Sequence, residues 1–202
     1  MTLSIPGLPP LHWTGTEGRA EVDEAAGTLT LHAEAGVDWT NDAAGGPQQH
    51  AATALAFIAP DGDFIVSARV VVEGERSTFD AGAIALWRDR DHWAKVCNEF
   101  SPQGESMVVS VVTDRYSDDC NSAVFDESGV FLRAARIGSS VAFHSSDDGE
   151  RWDFVRVFRF APAAEPLSIG FLAQAPLGDG CWASFSDIVY AETTLTDLRD
   201  GR

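Results

Sequence analysis

Lysine is almost missing from this chain of 202 residues: among its 14 lysines and arginines, only Lys95 is a lysine. Arginine serves a solvated surface about as well. A single ammonium kept in mid-strand is therefore a candidate for a task that needs a compact charge with rotatable donors. Positive charge as a whole is scarce. Against 31 acidic residues the formal net charge is −17, which repels phosphate backbones and anionic lipid and argues against nucleic-acid and membrane partners. Cysteine is limited to Cys97, Cys120 and Cys181, an odd number without CxxC or zinc spacing, which fits reduced thiols in the cytoplasm. No apolar run nears the roughly 20 residues needed to span a bilayer, and residues 1–7 carry no signal-peptide pattern. A soluble cytoplasmic protein is expected. His12, His32, His50, His92 and His144 form no HxH or HExxH pair, and P-loop, dinucleotide and Gly-x-Ser-x-Gly fingerprints are absent. Neither a metal nor a cofactor is expected.

Helix signals are equally sparse. The longest candidates, Val22–Ala26 and Ala161–Glu165, are too short to count. Strand signals are frequent: Asp63–Val72 sets Phe64, Val66, Ala68, Val70 and Val72 on one face, and Leu167–Gln174 alternates in the same way. Further β-branched and aromatic runs fall at Gly27–Ala33, Ala81–Trp87, Asp91–Phe100, Glu105–Thr113, Val130–Arg136, Ser139–Ser145, Arg151–Phe160 and Cys181–Tyr190. Asp148-Gly149 marks a hairpin and Ala59–Asp63 another turn. With 45% hydrophobic residues, twelve Phe and six Trp, the chain can bury a substantial core. One all-β domain over residues 1–202 is expected, a sandwich or jelly roll with its core at about 11–190 and a polar tail at 193–202.

Alternation splits the Lys95 strand into two faces. His92, Ala94, Val96, Asn98 and Phe100 suit the core, while Trp93, Lys95, Cys97 and Glu99 share the other side. Lys95 and Glu99 stand about 13 Å apart along a strand, too far for a direct ion pair, so each needs its own partner. An aromatic, a donor and an acceptor on one face is the chemistry of sugar recognition; it is also what the wetted side of an antiparallel sheet carries. Two loops add candidates. Residues 36–42 offer Trp39, Asn41 and Asp42, and residues 113–121, read as a loop after a strand, offer Thr113 and Tyr116. The second loop is oxygen-rich but lacks EF-hand spacing.

In order along the chain stand Asp80-Ala81-Gly82, Trp93-x-Lys95-x-x-x-Glu99, Ser110-Val111-Val112-Thr113, Leu132-Arg133-x-x-Arg136-x-Gly138, Asp147-Asp148-Gly149-x-x-Trp152 and Gly170-Phe171-Leu172-Ala173-Gln174-Ala175-Pro176. This ordered set resembles the regulation-of-enolase protein family of the concanavalin A-like lectin/glucanase superfamily. The resemblance implies a jelly-roll sandwich of two antiparallel sheets whose concave face holds carbohydrate. Lys95, Glu99, the Trp39 loop, Thr113 and Gln174 fall on matching positions.

Retaining glucanases of that superfamily project carboxylates from one strand in a Glu-x-Asp-x-(x)-Glu pattern. Here Glu21-Val22-Asp23-Glu24 lacks the last member, and Cys97 stands where Glu99 would need a partner. The leading expectation is a non-catalytic module for a carbohydrate or small polyhydroxylated metabolite. It would bind through Lys95 and Glu99, between Trp39 and Trp93, with Asn41, Asp42, Thr113, Tyr116 and Gln174 at the rim. The alternatives are a regulatory protein that binds a metabolic enzyme and a glycoside hydrolase or lyase using Glu99.

Overall fold

A computed structural model describes residues 2–126, 128–162 and 165–202; Ala163 and Ala164, inside the short helix candidate 161–165, lie outside them. Seventeen strands run through the described residues. The first six are short: β1 (Thr2–Leu3), β2 (Leu11–Trp13), β3 (Arg19–Asp23), β4 (Thr28–Glu34), β5 (Trp39–Asn41) and β6 (Gln48–His50). Then come β7 (Thr53–Ile58), β8 (Phe64–Glu73), β9 (Ala81–Asp89), β10 (His92–Phe100), β11 (Ser106–Asp114) and β12 (Tyr116–Val124). The last five are β13 (Val130–Ile137), β14 (Ser140–Ser146), β15 (Asp153–Phe158), β16 (Ser168–Gln174) and β17 (Gly180–Ala191). No helix among the described residues is long and apolar enough to cross a membrane.

Two large antiparallel sheets stack face to face. One has the order β1-β2-β7-β16-β9-β10-β11-β12 and the other β15-β14-β13-β8-β17-β4-β3. The period-2 pattern explains why they pack. Phe64, Val66, Ala68 and Val70 of β8 are wholly buried against Ile84 and Leu86 of β9, Val96 of β10 and Phe171 of β16. Gly82 lies where the sheets come closest: a Cβ there would sit 2.8 Å from both Ala183 Cβ and Val70 Cγ1. Asn98 spans the interface, donating from Nδ2 to Val70 O at 3.0 Å. The turn at residues 59–63 carries the chain from β7 in one sheet to β8 in the other.

Three segments differ from the sequence expectation. Residues 113–121, read as loop, instead supply the end of β11 and most of edge strand β12, which pairs to β11 through a tight turn at Arg115 (φ 66°). Residues 36–42 open a small hairpin, β5–β6, which forms its own two-stranded sheet. The polar tail is docked: His144 Nε2 bonds Leu198 O at 2.7 Å and Arg133 donates to Gly201 O at 2.7 Å. One open side of the sandwich is stitched by Arg156 of β15, which reaches Asp118 of β12 at O (3.0 Å) and Oδ2 (2.8 Å). That contact occupies part of an edge that would otherwise be free to pair with another chain.

Candidate functional site

The outer face of the eight-stranded sheet is largely dry. Trp93 and Cys97 are wholly buried, Lys95 is 3% exposed and Glu99 9%. Small residues make the floor, with Ala81, Ala83 and Ala85 on β9 and Ala54 on β7. The β5–β6 hairpin lies over that floor as a flap. Trp39 packs on Trp87 at 4.7 Å and on Trp93 at 5.9 Å between ring centroids, and His50 closes the group. Asn41 pins the flap: Nδ2 donates to Arg90 O (2.9 Å) and Arg115 O (3.0 Å), and its carbonyl meets His50 Nε2 at 2.8 Å.

Lys95 is the second pin. Its ammonium donates to Trp39 O (2.7 Å), Asp38 Oδ1 (3.1 Å) and Gln174 Oε1 (2.6 Å), so three acceptors meet three N–H groups. Burial opposes its charge, but the Asp38 carboxylate, through its charge and its hydrogen bond, with Glu99 adding to it, outweighs that and holds its pKa above the ordinary lysine value. An amine kept protonated in this way is unsuited to Schiff-base chemistry. Burial likewise pushes the Cys97 thiol well up, which leaves it protonated and inert.

Gln174 joins the two candidate residues of β10, Lys95 and Glu99. It stands on β16, level with Ala81 of β9 and through it with Glu99. Its Oε1 accepts a hydrogen bond from the Lys95 ammonium, while Nε2 donates to Phe79 O at 3.0 Å and reaches Glu99 Oε2 at 3.5 Å. Glu99 Oε1 has no hydrogen-bond partner among the described residues. Burial pushes the Glu99 pKa up to about 7; Lys95 pulls it down, Asp38 and Asp119 add to the rise, and Arg76 opposes it.

Beside Glu99 opens a cavity of about 230 Å³ lined by Asp38, Trp39, Thr40, Phe79, Lys95, Glu99, Asp119, Asn121 and Gln174, with Val109 and Val111 of β11 as its aliphatic wall. Asp119 and Asn121 project from β12 on the same face, level through β11 with Lys95 and Cys97. Partial burial raises the Asp119 pKa, Lys95 lowers it, and Asp38 and Asp118 raise it further. Phe79 forms the rim with φ of 69°, a conformation that costs a bulky side chain about 1–3 kcal/mol. Two bonds enforce it, from Phe79 N to Phe100 O and from Gln174 Nε2 to Phe79 O. A larger groove of about 600 Å³ lies on the other sheet, but its flanking charges Arg151, Asp153 and Arg202 are more than two-thirds exposed. Such exposed pairs give a ligand little beyond what water offers.

Of the residues singled out in the sequence, Lys95, Glu99, Trp39 and Gln174 meet at this cavity. Trp93 lies beneath the flap, away from the opening, and Asn41 is spent on anchoring. Asp42 caps its own turn at Ala44 N and Gly46 N, Thr113 bonds Ser117 Oγ, and Tyr116 is exposed at the hairpin tip. Asp38, Thr40, Asp119 and Asn121 lie in the two segments singled out, 36–42 and 113–121, without having been named as contacts, and Phe79 lies outside both. Alternation from Ser117 would have set Asp119 and Asn121 on the Lys95 face, had residues 116–124 been read as a strand. No cluster of His, Cys, Asp or Glu among the described residues is arranged to hold a metal ion.

The fold has solved relatives. A functionally unknown protein from Saccharomyces cerevisiae superposes with a TM-score of 0.79 and 24% identity, over 92% of this chain and 97% of that one. A xylan β-1,4-xylosidase from Bacillus halodurans C-125 gives 0.68 and 14%, over 86% of this chain but 34% of its own, so the chain spans about a third of that glycosidase. A legume lectin-like domain from Entamoeba histolytica gives 0.57 and 11%, over 91% and 90%. These likenesses show the fold, the concanavalin A-like sandwich of two antiparallel sheets expected from the sequence. No curated protein matches the chain by sequence. The family model described as "Protein of unknown function (DUF1349)" matches residues 13–193, and the chain belongs to that family.

Proposed function

We propose that the protein binds a small carbohydrate or sugar-like polyol in the cavity between the flap and the concave sheet face. One observation carries this reading: Glu99, nine-tenths buried, leaves Oε1 without a partner and open to a cavity whose other walls are polar and aromatic apart from Val109 and Val111. No protein group among the described residues bonds that oxygen, and a ligand hydroxyl placed in the cavity would. At about 230 Å³ the space is below the range of roughly 300–1,000 Å³ for drug-sized ligands, so it suits one sugar ring. Phe79, 37% exposed at the rim, offers a ring face for the ligand's C–H groups. The lectin-like domain and the xylosidase among the fold relatives lend this reading some support. Lys95 acts here by holding Asp38 and Gln174 in position. Three unpaired cysteines fit a reducing compartment such as the cytoplasm, and the shared core of the two sheets fits one domain.

Calorimetry with xylose, glucose, arabinose and inositol tests the reading on wild type, Glu99→Ala and Phe79→Ala. Binding that weakens at least tenfold in both variants supports it. Binding equal to wild type in both variants removes the site from this cavity, and an absence of binding together with capture of a metabolic enzyme favours the regulatory reading. Hydrolysis has one observation in its favour, three carboxylates in one cavity with Glu99 held near pH 7, the kind of arrangement that makes a general acid. Turnover of aryl glycosides that Glu99→Gln abolishes would establish it; no turnover leaves a binding module.

A further inference from the structure

We propose that this cavity selects an amine-bearing sugar, a hexosamine or amino-deoxy sugar in its protonated form, over neutral and anionic sugars. The inference rests on the carbohydrate reading of the same cavity and follows from which polar groups there are already used.

The strong donors are spent. All three N–H groups of Lys95 are taken by Asp38 Oδ1, Trp39 O and Gln174 Oε1, and the Gln174 amide nitrogen is turned to Phe79 O and Glu99 Oε2. Arg76, whose charge reaches Glu99, directs its guanidinium at Asn98, Ser106 and Asp80 O. The acceptors are open. Glu99 Oε1 and the Asp119 carboxylate have no hydrogen-bond partner among the described residues, and the side-chain donors left on the lining are Thr40, Asn121 and the Trp39 indole N–H. Three carboxylates (Asp38, Glu99, Asp119) face one ammonium (Lys95).

A neutral sugar could donate hydroxyl protons to these carboxylates, but its own oxygens would find few donors. A sugar phosphate or uronate would bring negative charge to a negative cavity on a protein of net charge −17. A ring ammonium brings three donors, pairs with the open carboxylate of Glu99 or Asp119 and cancels charge that the protein leaves uncompensated. Charge-assisted bonds of this kind are roughly twice as strong as neutral ones. The charged or titratable groups around Glu99 are Lys95 and Cys97 on its own strand, Asp38 of the flap, Asp119 of β12 and Arg76. Binding of a cation at Glu99 therefore displaces its proton.

The test is calorimetry at pH 6.0, where the sugar amine is fully protonated and Glu99 still carries most of its proton, with glucosamine, N-acetylglucosamine, glucose and glucuronate, on wild type, Glu99→Gln and Asp119→Asn, in two buffers of different ionisation enthalpy. Glucosamine is expected to bind at least about tenfold tighter than its N-acetyl form or glucose, with buffer-dependent heat reporting proton release, and glucuronate weakest of all. Glu99→Gln or Asp119→Asn should narrow the gap between glucosamine and N-acetylglucosamine, whatever either does to absolute affinity. Neutral sugars binding as tightly as glucosamine, or glucuronate binding tighter, overturns the selectivity and leaves the carbohydrate site standing. An unchanged gap in both variants also overturns it. No binding by any of the four compounds defeats both readings.

Discussion

Lys95 Nζ and Gln174 Oε1 lie 2.6 Å apart across the width of β9. That bond turns the Gln174 amide so that its nitrogen faces Phe79 O and Glu99. The lysine thus decides, through an uncharged intermediary, how the rim and the buried carboxylate are presented. The same ammonium holds Asp38 and the Trp39 carbonyl of the flap. The chain's single lysine is a three-way clamp, a compact ammonium with each of its three donors on a separate acceptor.

Removing the clamp should be severe. Lys95→Met orphans the Trp39 carbonyl and Gln174 Oε1 and leaves Asp38 without its cation, and breaking a buried pair from one side costs about 3–5 kcal/mol. Urea denaturation should register that loss, with a red shift in tryptophan emission as the flap lifts from Trp93. Adding Asp38→Asn should recover part of the stability, since the residual charge is then gone. A double mutant whose losses simply add would show that the ion pair is not the source of the effect.

Glu99 predicts a pH dependence of definite sign. Its folded-state pKa, about 7, lies above the ordinary 4.5, so the fold favours the protonated carboxyl. The stabilisation is complete below pH 4.5 and is lost as pH rises through 7. The shift corresponds to a difference on the order of 3 kcal/mol. Glu99→Gln keeps the shape and stays neutral, so its stability relative to wild type should rise between pH 5 and pH 8. Parallel curves for the two proteins across that range would mean Glu99 is not held near neutrality.

Much of this could be read from the chain, and the exceptions have a common cause. Alternation separated Ala94, Val96 and Asn98 from Trp93, Lys95, Cys97 and Glu99 correctly, because a strand's period of two is local. It could not tell that the second face is dry, since what covers it is Trp39, more than fifty residues earlier. Asp38 in Asp-Trp-Thr-Asn-Asp looks like an ordinary turn former. The run Ser117-Asp118-Asp119-Cys120-Asn121 has little intrinsic strand preference; pairing with β11 makes it a strand. The tail at 193–202 is polar, but its backbone carbonyls satisfy His144 and Arg133, side chains from distant strands.

That docked tail should respond to acid. His144 is wholly buried with Nδ1 unpartnered, and Nε2 is bonded to Leu198 O. Burial lowers its pKa, the Leu198 bond raises it, and Arg133 nearby lowers it further. The net depression means the neutral ring stabilises the fold above pH 6.5, and that contribution is lost as pH falls through the depressed folded-state value. Hydrogen exchange over residues 195–201, corrected for its intrinsic pH dependence, should show protection decreasing between pH 7 and pH 5. Equal protection at both values would detach His144 from the docking.

The flap offers the sharpest contrast between neighbours. Asn41 and Asp42 are adjacent and both polar, yet Asn41 is 1% exposed and spans Arg90 O, Arg115 O and His50, whereas Asp42 is only half-buried and caps only its own turn. Each buried group left unpaired costs about 1–3 kcal/mol, and some of that is relieved if water enters as the flap lifts. Asn41→Ala should therefore cost about 2–4 kcal/mol and make residues 42–47 open to proteolysis. Asp42→Ala should cost less than about 1 kcal/mol. Because Asp38 and Trp39 line the cavity, the loss of the Asn41 anchor should also weaken sugar binding, although Asn41 does not line it. Equal proteolysis rates in the two variants would mean that the flap is held by Lys95 alone.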